Sequence, residues 1–172
     1  AGFHSLLYDY VIHTHSVYSN LVCCTKEGKS IADRIFSGSE YGYAWVPYVT
    51  PGFDLTLAIK HLLDDHDTMP KIIFMESHGI LVSSDDYEEC VNLHELVTDK
   101  ILAELDMPDE FAYVGLEETG EDTYVSKSEI LKDYFKGTDR GARWFEEHIL
   151  YPDQAAYLSG NVADGSTGNK IN

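Results

Sequence analysis

A single α/β domain is the fold class that the sequence predicts, and three observations point to it. The chain has 172 residues, which is enough for one domain with a sizeable core and too few for two ordinary ones. Hydrophobic residues make up 44% of it and charged residues 24%, a globular composition that excludes disordered and collagen-like chains. Short apolar runs typical of strands also alternate with longer runs of helical periodicity.

The first part of the chain predicts two strands and three helices. Ser16 suits a helix N-cap because its side chain can accept a hydrogen bond from a free backbone N–H of the first turn. Pro47 cannot donate to a strand ladder, so its strand is expected at a sheet edge. In order, the predicted elements are a strand at 8–15, a helix at 16–24, a short amphipathic helix at 29–36, a strand at 43–49 and a helix at 53–65 with one apolar face.

The rest of the chain predicts a strand pair, a long helix and less regular segments. A buried strand at 71–75 breaks at His78-Gly79 and resumes at 80–82, and Ser83, Ser84 and Asp85 then open the longest helix, 86–105. Further on we expect a strand at 110–116, an acidic loop at 117–122, a helix at 126–135, a last helix or turn at 140–151 and a flexible tail at 160–172. The predicted domain is therefore 1–159.

Charge and cysteine content limit the partners and the compartment. Thirty acidic against twelve basic residues give a formal net charge of −18, which repels nucleic acids and anionic membranes. The three cysteines form no disulfide or zinc-knuckle pattern, and no apolar run reaches membrane-spanning length. We therefore expect a cytoplasmic protein without nucleic-acid or membrane partners. Because the chain begins at Ala1, without Met, we interpret it as part of something longer.

Three histidines carry the strongest chemical signal. His13 and His15 are two apart on a predicted strand, so both imidazoles point to one face and can reach one metal ion. His78 stands before Gly79, which permits a bend or a positive φ, and Glu76 has the same strand parity as His78. Each signal alone also fits ordinary strand-end or turn histidines. Together, three imidazoles and a carboxylate are a common zinc set.

Four segments, in order, resemble successive blocks of one known family. They lie at 2–24 (GFHSLLYDYVIHTHSVYSNLVCC), 45–59 (WVPYVTPGFDLTLAI), 72–96 (IIFMESHGILVSSDDYEECVNLHEL) and 148–158 (HILYPDQAAYL). These blocks resemble the class II aldolase/adducin family, in particular its rhamnulose-1-phosphate aldolase-like domains. The resemblance covers positions 2 to 158.

The resemblance implies a fold, a metal and an assembly. The fold is a three-layer α/β/α sandwich around a mostly antiparallel sheet, often in a homotetramer with active sites at subunit interfaces. The metal is zinc or another divalent ion, and its ligands carry over to His13, His15 and His78. Ser77 replaces the family's usual Asn. The family's acid/base Glu and its phosphate-binding positions would fall before Ala1, so we expect a missing N-terminal portion and keep Glu76 as a weaker catalytic candidate.

The resemblance also implies a reaction. It is retro-aldol cleavage of a sugar or sugar phosphate by a metal-dependent lyase, without a Schiff-base lysine. A pentulose-phosphate epimerase or a dehydratase on the same scaffold is one alternative, and a non-catalytic adducin-like oligomerisation module is another. Retention of all three histidines argues against the second alternative, whereas the absent Glu argues mildly for it.

The remaining polar and sulfur-bearing residues are interpreted as structural. Any of three tyrosines could protonate an intermediate, but packing is the expected role of each, and His148 is expected at the surface or at a helix cap. The adjacent cysteines are expected in the core, three further histidines on partly exposed helix faces, and the acids before 90 at a helix start. These residues are Tyr113, Tyr151, Tyr157, Cys23, Cys24, His61, His66, His94, Asp85, Asp86, Glu88 and Glu89.

Overall fold

The computed structural model describes residues 2–106, 115–120, 123–138, 140 and 142–158. The chain divides into two compact units, 1–106 and 107–172, and each is described by itself. The tail expected at 160–172 lies outside the described residues, and a single domain over 1–159 stays a prediction. Among the described helices, none combines the length and the apolar composition needed to cross a membrane.

The first unit contains every strand and helix that the sequence predicts for it, with shifted ends. A short 3₁₀ turn before the first strand was not predicted. In chain order, the elements are the 3₁₀ turn Gly2–Leu6, β1 Tyr10–Thr14, α1 Val17–Cys23, α2 Gly28–Phe36, β2 Tyr43–Val46, α3 Phe53–Asp64, β3 Ile72–Met75, β4 Gly79–Ser84 and α4 Tyr87–Leu105.

The four strands form one mixed sheet in the order β1-β4-β3-β2. β4 pairs antiparallel with β1 and with β3, whereas β2 pairs parallel with β3. The prediction of a mostly antiparallel sheet is therefore confirmed, with one parallel pairing at the β2 edge. Pro47 directly follows β2, which is an edge strand among the described strands, as expected of a residue that cannot donate to a ladder.

Alternation along the strands gives each face of the sheet its own core. One face packs against α1, α2 and α4, and the other packs against α3 and the 3₁₀ turn, so the three-layer α/β/α arrangement is confirmed. The first core contains Val22, Cys23, Ile31, Ala32, Phe36, Ile72, Phe74, Ile80, Val82, Cys90, Leu93, Val97 and Ile101. The second contains Phe3, Ala44, Val46, Leu55, Ile59, Ile73, Met75 and Leu81.

Two predicted boundaries around the strand pair are wrong. The break between β3 and β4 is the turn 76–78, and Gly79 already belongs to β4. Ser83 and Ser84 do not open the long helix, because both are buried inside β4. Asp86 is the N-cap, and its side chain accepts a hydrogen bond from the Glu89 N–H at 2.7 Å.

The second unit contains a β-hairpin followed by short helices. Its elements are β5 Leu116–Gly120, β6 Thr123–Ser126, α5 Glu129–Lys136, α6 Ala142–Glu147 and a π-helical turn, Gln154–Leu158. The acidic loop expected at 117–122 is wrong for 117–120, which form a strand. All five residues of β5 are exposed, so its carboxylates stay in water while the β-forming Thr123, Tyr124 and Val125 supply the partner strand.

Other predictions for this unit are corrected or untested. The helix expected from Ser126 begins three residues later, because Ser126 ends β6 and Ser128 Oγ accepts the Leu131 N–H at 3.4 Å. The last helix stops at Glu147, and the π-helical turn after it was not predicted. The strand expected at 110–116 lies outside the described residues apart from its last two positions.

Candidate metal centre

Strand pairing brings the three predicted histidines together. His13 lies in β1, His15 follows the end of that strand, and His78 lies in the turn before β4. The antiparallel register sets Thr14 opposite Ile80, so the end of β1 lies beside the start of β4. Residues 65 positions apart in sequence thereby become neighbours, which neither local sequence pattern shows by itself.

The imidazole nitrogens converge on one point. His13 Nε2 lies 3.1 Å from His15 Nε2 and 3.3 Å from His78 Nε2. Two nitrogens bound to one zinc ion with tetrahedral angles lie roughly 3.3 Å apart. The two distances from His13 Nε2 match a shared ion, and the ligand atoms of all three residues lie within 4.8 Å of one another. Among the described residues, His13, His15 and His78 form the group of ligating side chains that could hold a metal ion.

A backbone carbonyl orients His13. Its Nδ1–H donates to the Ile80 carbonyl at 2.9 Å, so in the neutral ring Nε2 carries the lone pair that faces the other two histidines. Burial lowers the pKa of His13, and this hydrogen bond opposes the shift. The ring is thus held in the tautomer and charge state of a metal ligand.

Gly79 is required by close approach rather than by its φ angle. A Cβ at this position would lie 2.4 Å from the Thr14 carbonyl oxygen and 2.7 Å from His15 Cδ2. The positive φ that the sequence allowed at Gly79 occurs two residues earlier, at Ser77, with φ 54°. Glycine therefore lets β4 start against the backbone that carries His15.

Glu76 is held in a different contact. Its Oε2 accepts the backbone N–H of Tyr48 at 3.1 Å, and it is absent from the three-histidine group. Strand parity does not extend to it because it lies in the turn after β3. Its catalytic role stays a prediction. The three-nitrogen donor set fits a divalent ion of the zinc class.

A cavity of about 370 Å³ borders His78. Its described lining holds no Lys, Arg, Asp or Glu, and Phe53 on its rim is 74% exposed. Phe3, also in the lining, packs edge-on against His13 with ring centroids 5.6 Å apart. Sequence reasoning did not single out Phe3, because a phenylalanine in an unpredicted 3₁₀ turn carries no local signal.

The other candidate residues have structural contacts. His94 Nε2 and Thr14 Oγ1 are hydrogen-bonded at 2.9 Å, and burial lowers the pKa of His94. In the second unit, His148 stacks on Trp144 at 4.5 Å and donates through Nδ1 to the Trp144 carbonyl, as expected of a helix-end residue.

Of the remaining expectations, some are met, two are corrected and two lie outside the described residues. Cys23 is buried, and partial burial raises the pKa of Cys24 to about 11, consistent with inert core thiols. His61 is exposed on α3, as expected. The helix expected at His66 is wrong, because α3 ends at Asp64, and Tyr151 is 37% exposed rather than packed in a core. Tyr113 and the side chain of Tyr157 lie outside the described residues.

A family model matches more than half of the chain. The family model described as Class II Aldolase and Adducin N-terminal domain matches residues 2–102. Over 85 residues the chain is 34% identical to the uncharacterized oxidoreductase YuxG of Bacillus subtilis (strain 168), a match covering 49% of this chain and 12% of YuxG. The chain thus spans about an eighth of the length of this curated relative.

One solved structure shows a similar fold, and a second is a weaker match. The N-terminal class II aldolase domain of a conserved protein from Thermoplasma acidophilum matches with a TM-score of 0.50 and 22% identity, covering 60% of this chain and 46% of that one. An aldolase II superfamily protein from Pseudomonas syringae gives a TM-score of 0.43 at 20% identity, covering 85% of this chain and 56% of that one. The family model alone matches more than half of the chain, which therefore belongs to the class II aldolase and adducin family.

Proposed function

We propose that this chain is a divalent-metal-dependent aldolase-type lyase that binds zinc and cleaves a sugar or sugar phosphate by retro-aldol chemistry. The observation that carries the proposal is the convergence of three imidazole Nε2 atoms, with His13 held by Ile80 in the ligand tautomer. Membership of the class II aldolase family supports it, because a divalent metal is typical of such aldolases.

The three histidines would hold the ion, and the chain's own residues would arrange the substrate around it. When bound, a divalent ion supplies a Lewis acid that polarises a carbonyl oxygen. Phe3 packs on the His13 ring and limits its movement. The cavity beside His78 offers a place for the uncharged part of a substrate, because its described lining contains no Lys, Arg, Asp or Glu.

The negative net charge of the chain favours a site that binds substrate through a metal ion over one that uses side chains alone. The formal net charge of −18 opposes the approach of a phosphate ester, so an anionic substrate needs local positive charge. An ion held by three neutral imidazoles keeps its full charge, since the ligands contribute none. We keep Glu76 as a weaker candidate for the acid/base group that exchanges a proton with substrate.

We also propose that the protein works in the cytoplasm as a homo-oligomer, specifically a tetramer. Large apolar side chains stand open to water on the first unit, and burying them in a subunit interface would be favourable. Val17 is 72% exposed, Tyr48 is 59% exposed and Phe53 is 74% exposed. Light scattering of the purified chain measures the mass that decides this point.

The lyase proposal is tested by cleavage. The zinc-loaded chain is incubated with a panel of ketoses and ketose 1-phosphates, and aldehyde release is followed by reduction with a coupled dehydrogenase. We expect release that disappears in His78→Ala and persists in His66→Ala, an exposed histidine away from the group. Epimerised sugar without aldehyde, or equal aldehyde release from His78→Ala, would contradict retro-aldol chemistry at this site.

A further inference from the structure

Helix α1 contacts both chain segments that carry the histidines. Asn20 and Cys23 are three residues apart, so they share one side of the helix. Asn20 contacts the backbone of His15, and Cys23 contacts the backbone on each side of His78. Neither residue is in the group that could hold a metal ion.

Asn20 donates a hydrogen bond to the His15 carbonyl, to which the first turn of α1 donates none. The Ser19 N–H, which would bond the His15 carbonyl in a continued helix, instead bonds the N-cap hydroxyl of Ser16 at 3.1 Å. The Asn20 Nδ2–H takes its place and donates to the His15 carbonyl at 3.3 Å. The position of His15 between strand and helix is thereby tied to α1.

The amide oxygen of Asn20, Oδ1, lowers the stability of the fold. Asn20 is only 9% exposed, and its Oδ1 is buried without a hydrogen-bond partner among the described residues. A buried amide with an unsatisfied oxygen is less favourable than an apolar side chain of similar size. Stability alone therefore favours leucine here, whereas holding His15 requires the amide.

Cys23 holds the turn that contains His78. Its carbonyl accepts the Ser77 N–H at 2.8 Å, and its thiol donates to the Gly79 carbonyl at 3.2 Å. Ser77 has φ 54°, a strained conformation for serine that persists only where the surroundings hold it. The contact to Cys23 is part of that restraint, and His78 lies between the two bonded residues.

We propose that Asn20 and Cys23 are positioning residues for the metal centre, setting His15 and His78 at the spacing that one divalent ion requires. The inference rests on the proposed metal-dependent function. Hydrogen bonds that support ligand residues typically change metal affinity by 10- to 100-fold when removed. The side chains of Asn20 and Cys23 bond backbone carbonyls next to the ligand side chains. Replacing either residue should therefore shift a histidine ligand without removing it.

The test measures zinc affinity and folding stability side by side. Zinc dissociation constants are obtained by competition with a chromophoric chelator, and unfolding midpoints of the zinc-free proteins by thermal denaturation. For Asn20→Leu we expect a dissociation constant at least about 10-fold higher together with an unchanged or raised unfolding midpoint. The matched control is Val22→Ala, which lies in the same helix with its side chain fully buried in the core. We expect it to lower the midpoint and leave zinc affinity unchanged.

Cys23 supplies an independent pair of variants. Cys23→Val removes the donor to the Gly79 carbonyl and should weaken zinc binding, whereas Cys23→Ser keeps a donor and should restore it. Wild-type zinc affinity in both Asn20→Leu and Cys23→Val would overturn the positioning role while leaving the metal site intact. Failure of the wild-type chain to bind zinc would overturn the proposed function itself, so the two failures are distinct.

Discussion

The two faces of the four-stranded sheet differ in how completely they are covered. The face against α1, α2 and α4 buries the larger cluster and includes the aromatic group around Phe74, whose ring lies 5.4 Å from Phe36. The face against α3 and the 3₁₀ turn buries fewer side chains and borders the cavity of about 370 Å³ beside His78. His13 lies on this second face with Phe3, whereas its neighbour Thr14 reaches His94 on the first.

The fully covered face contributes most to stability, whereas the less covered face carries the histidine group. Successive residues of β1 have different roles, because successive side chains of a strand point to opposite faces. Ile12 packs in the first core while His13 joins the histidine group. A closed face can hold the strands in register, and an incompletely covered face can then leave imidazoles accessible to an ion and to substrate.

The largest expected loss of stability comes from removing a large side chain from the core under α1, α2 and α4. Phe74→Ala removes a fully buried ring and should lower the free energy of unfolding by about 3–5 kcal/mol. Phe3→Ala, on the open face and 8% exposed, should cost less than about 3 kcal/mol because its space adjoins an existing cavity. Urea denaturation measures both, and an equal or larger loss for Phe3→Ala would contradict the comparison.

An intermediate effect is expected where the two segments of the site touch. Gly79→Ala places a methyl group 2.4 Å from the Thr14 carbonyl oxygen, so β1 and β4 must separate. We expect about 1–3 kcal/mol of destabilisation and weaker zinc binding. The control is Gly38→Ala, which is strained by its φ of 85° but has open space around it. Chelator competition should show a change in zinc affinity for Gly79→Ala alone, and equal affinity in the two variants would contradict the close-approach argument.

Much of this arrangement can be predicted from the sequence, and the limits have physical causes. The two-residue spacing of His13 and His15 and the His78-Gly79 pair indicate ligands, because strand parity and the backbone freedom of glycine are local properties. The Ile80 carbonyl and Asn20 carry no such signal, since their roles depend on strand register and on a helix cap. The exposed strand β5 is missed for another reason: a hairpin open to water needs no apolar alternation, so its acids resemble a loop.

A smaller change in the free energy of unfolding is expected at the strained turn between β3 and β4. Ser77 occupies the left-handed region, which costs most residues about 1–2 kcal/mol and asparagine less. Ser77→Asn should therefore raise the free energy of unfolding by up to about 1 kcal/mol and retain zinc binding. Ser37→Asn, at an exposed residue with φ −60°, is the control and should gain nothing. A destabilised Ser77→Asn would show that the turn is not strained as argued.

The smallest expected change in stability concerns the contact of Glu89 with Lys71 and Ser84 at the start of α4. Hydrogen bonds from Lys71 and Ser84 lower the pKa of Glu89, and Glu89 in turn raises the pKa of Lys71. The lowered pKa means that this contribution to stability is present above the ordinary Glu pKa of 4.5 and is lost as the pH falls below it. Glu89→Gln should thus be slightly less stable than wild type at pH 7, and the difference should shrink as the pH falls below 4.5.

Denaturation at several pH values measures this difference, with Glu88→Gln in the same helical turn as the control. A difference that is independent of pH would contradict the pKa argument. Because both side chains of the pair are partly exposed, salt should reduce the effect at pH 7. Neither variant should alter zinc affinity, since both lie at the far end of β4 from the histidines.

The central claim is that the open face of the sheet holds one divalent ion between His13, His15 and His78. Zinc content per chain, measured by elemental mass spectrometry after purification and zinc loading, tests it most directly. The account predicts close to one zinc per wild-type chain and none in a His13→Ala, His15→Ala double variant that remains folded. Zinc absent from the loaded wild type, or retained equally by the double variant, would contradict it.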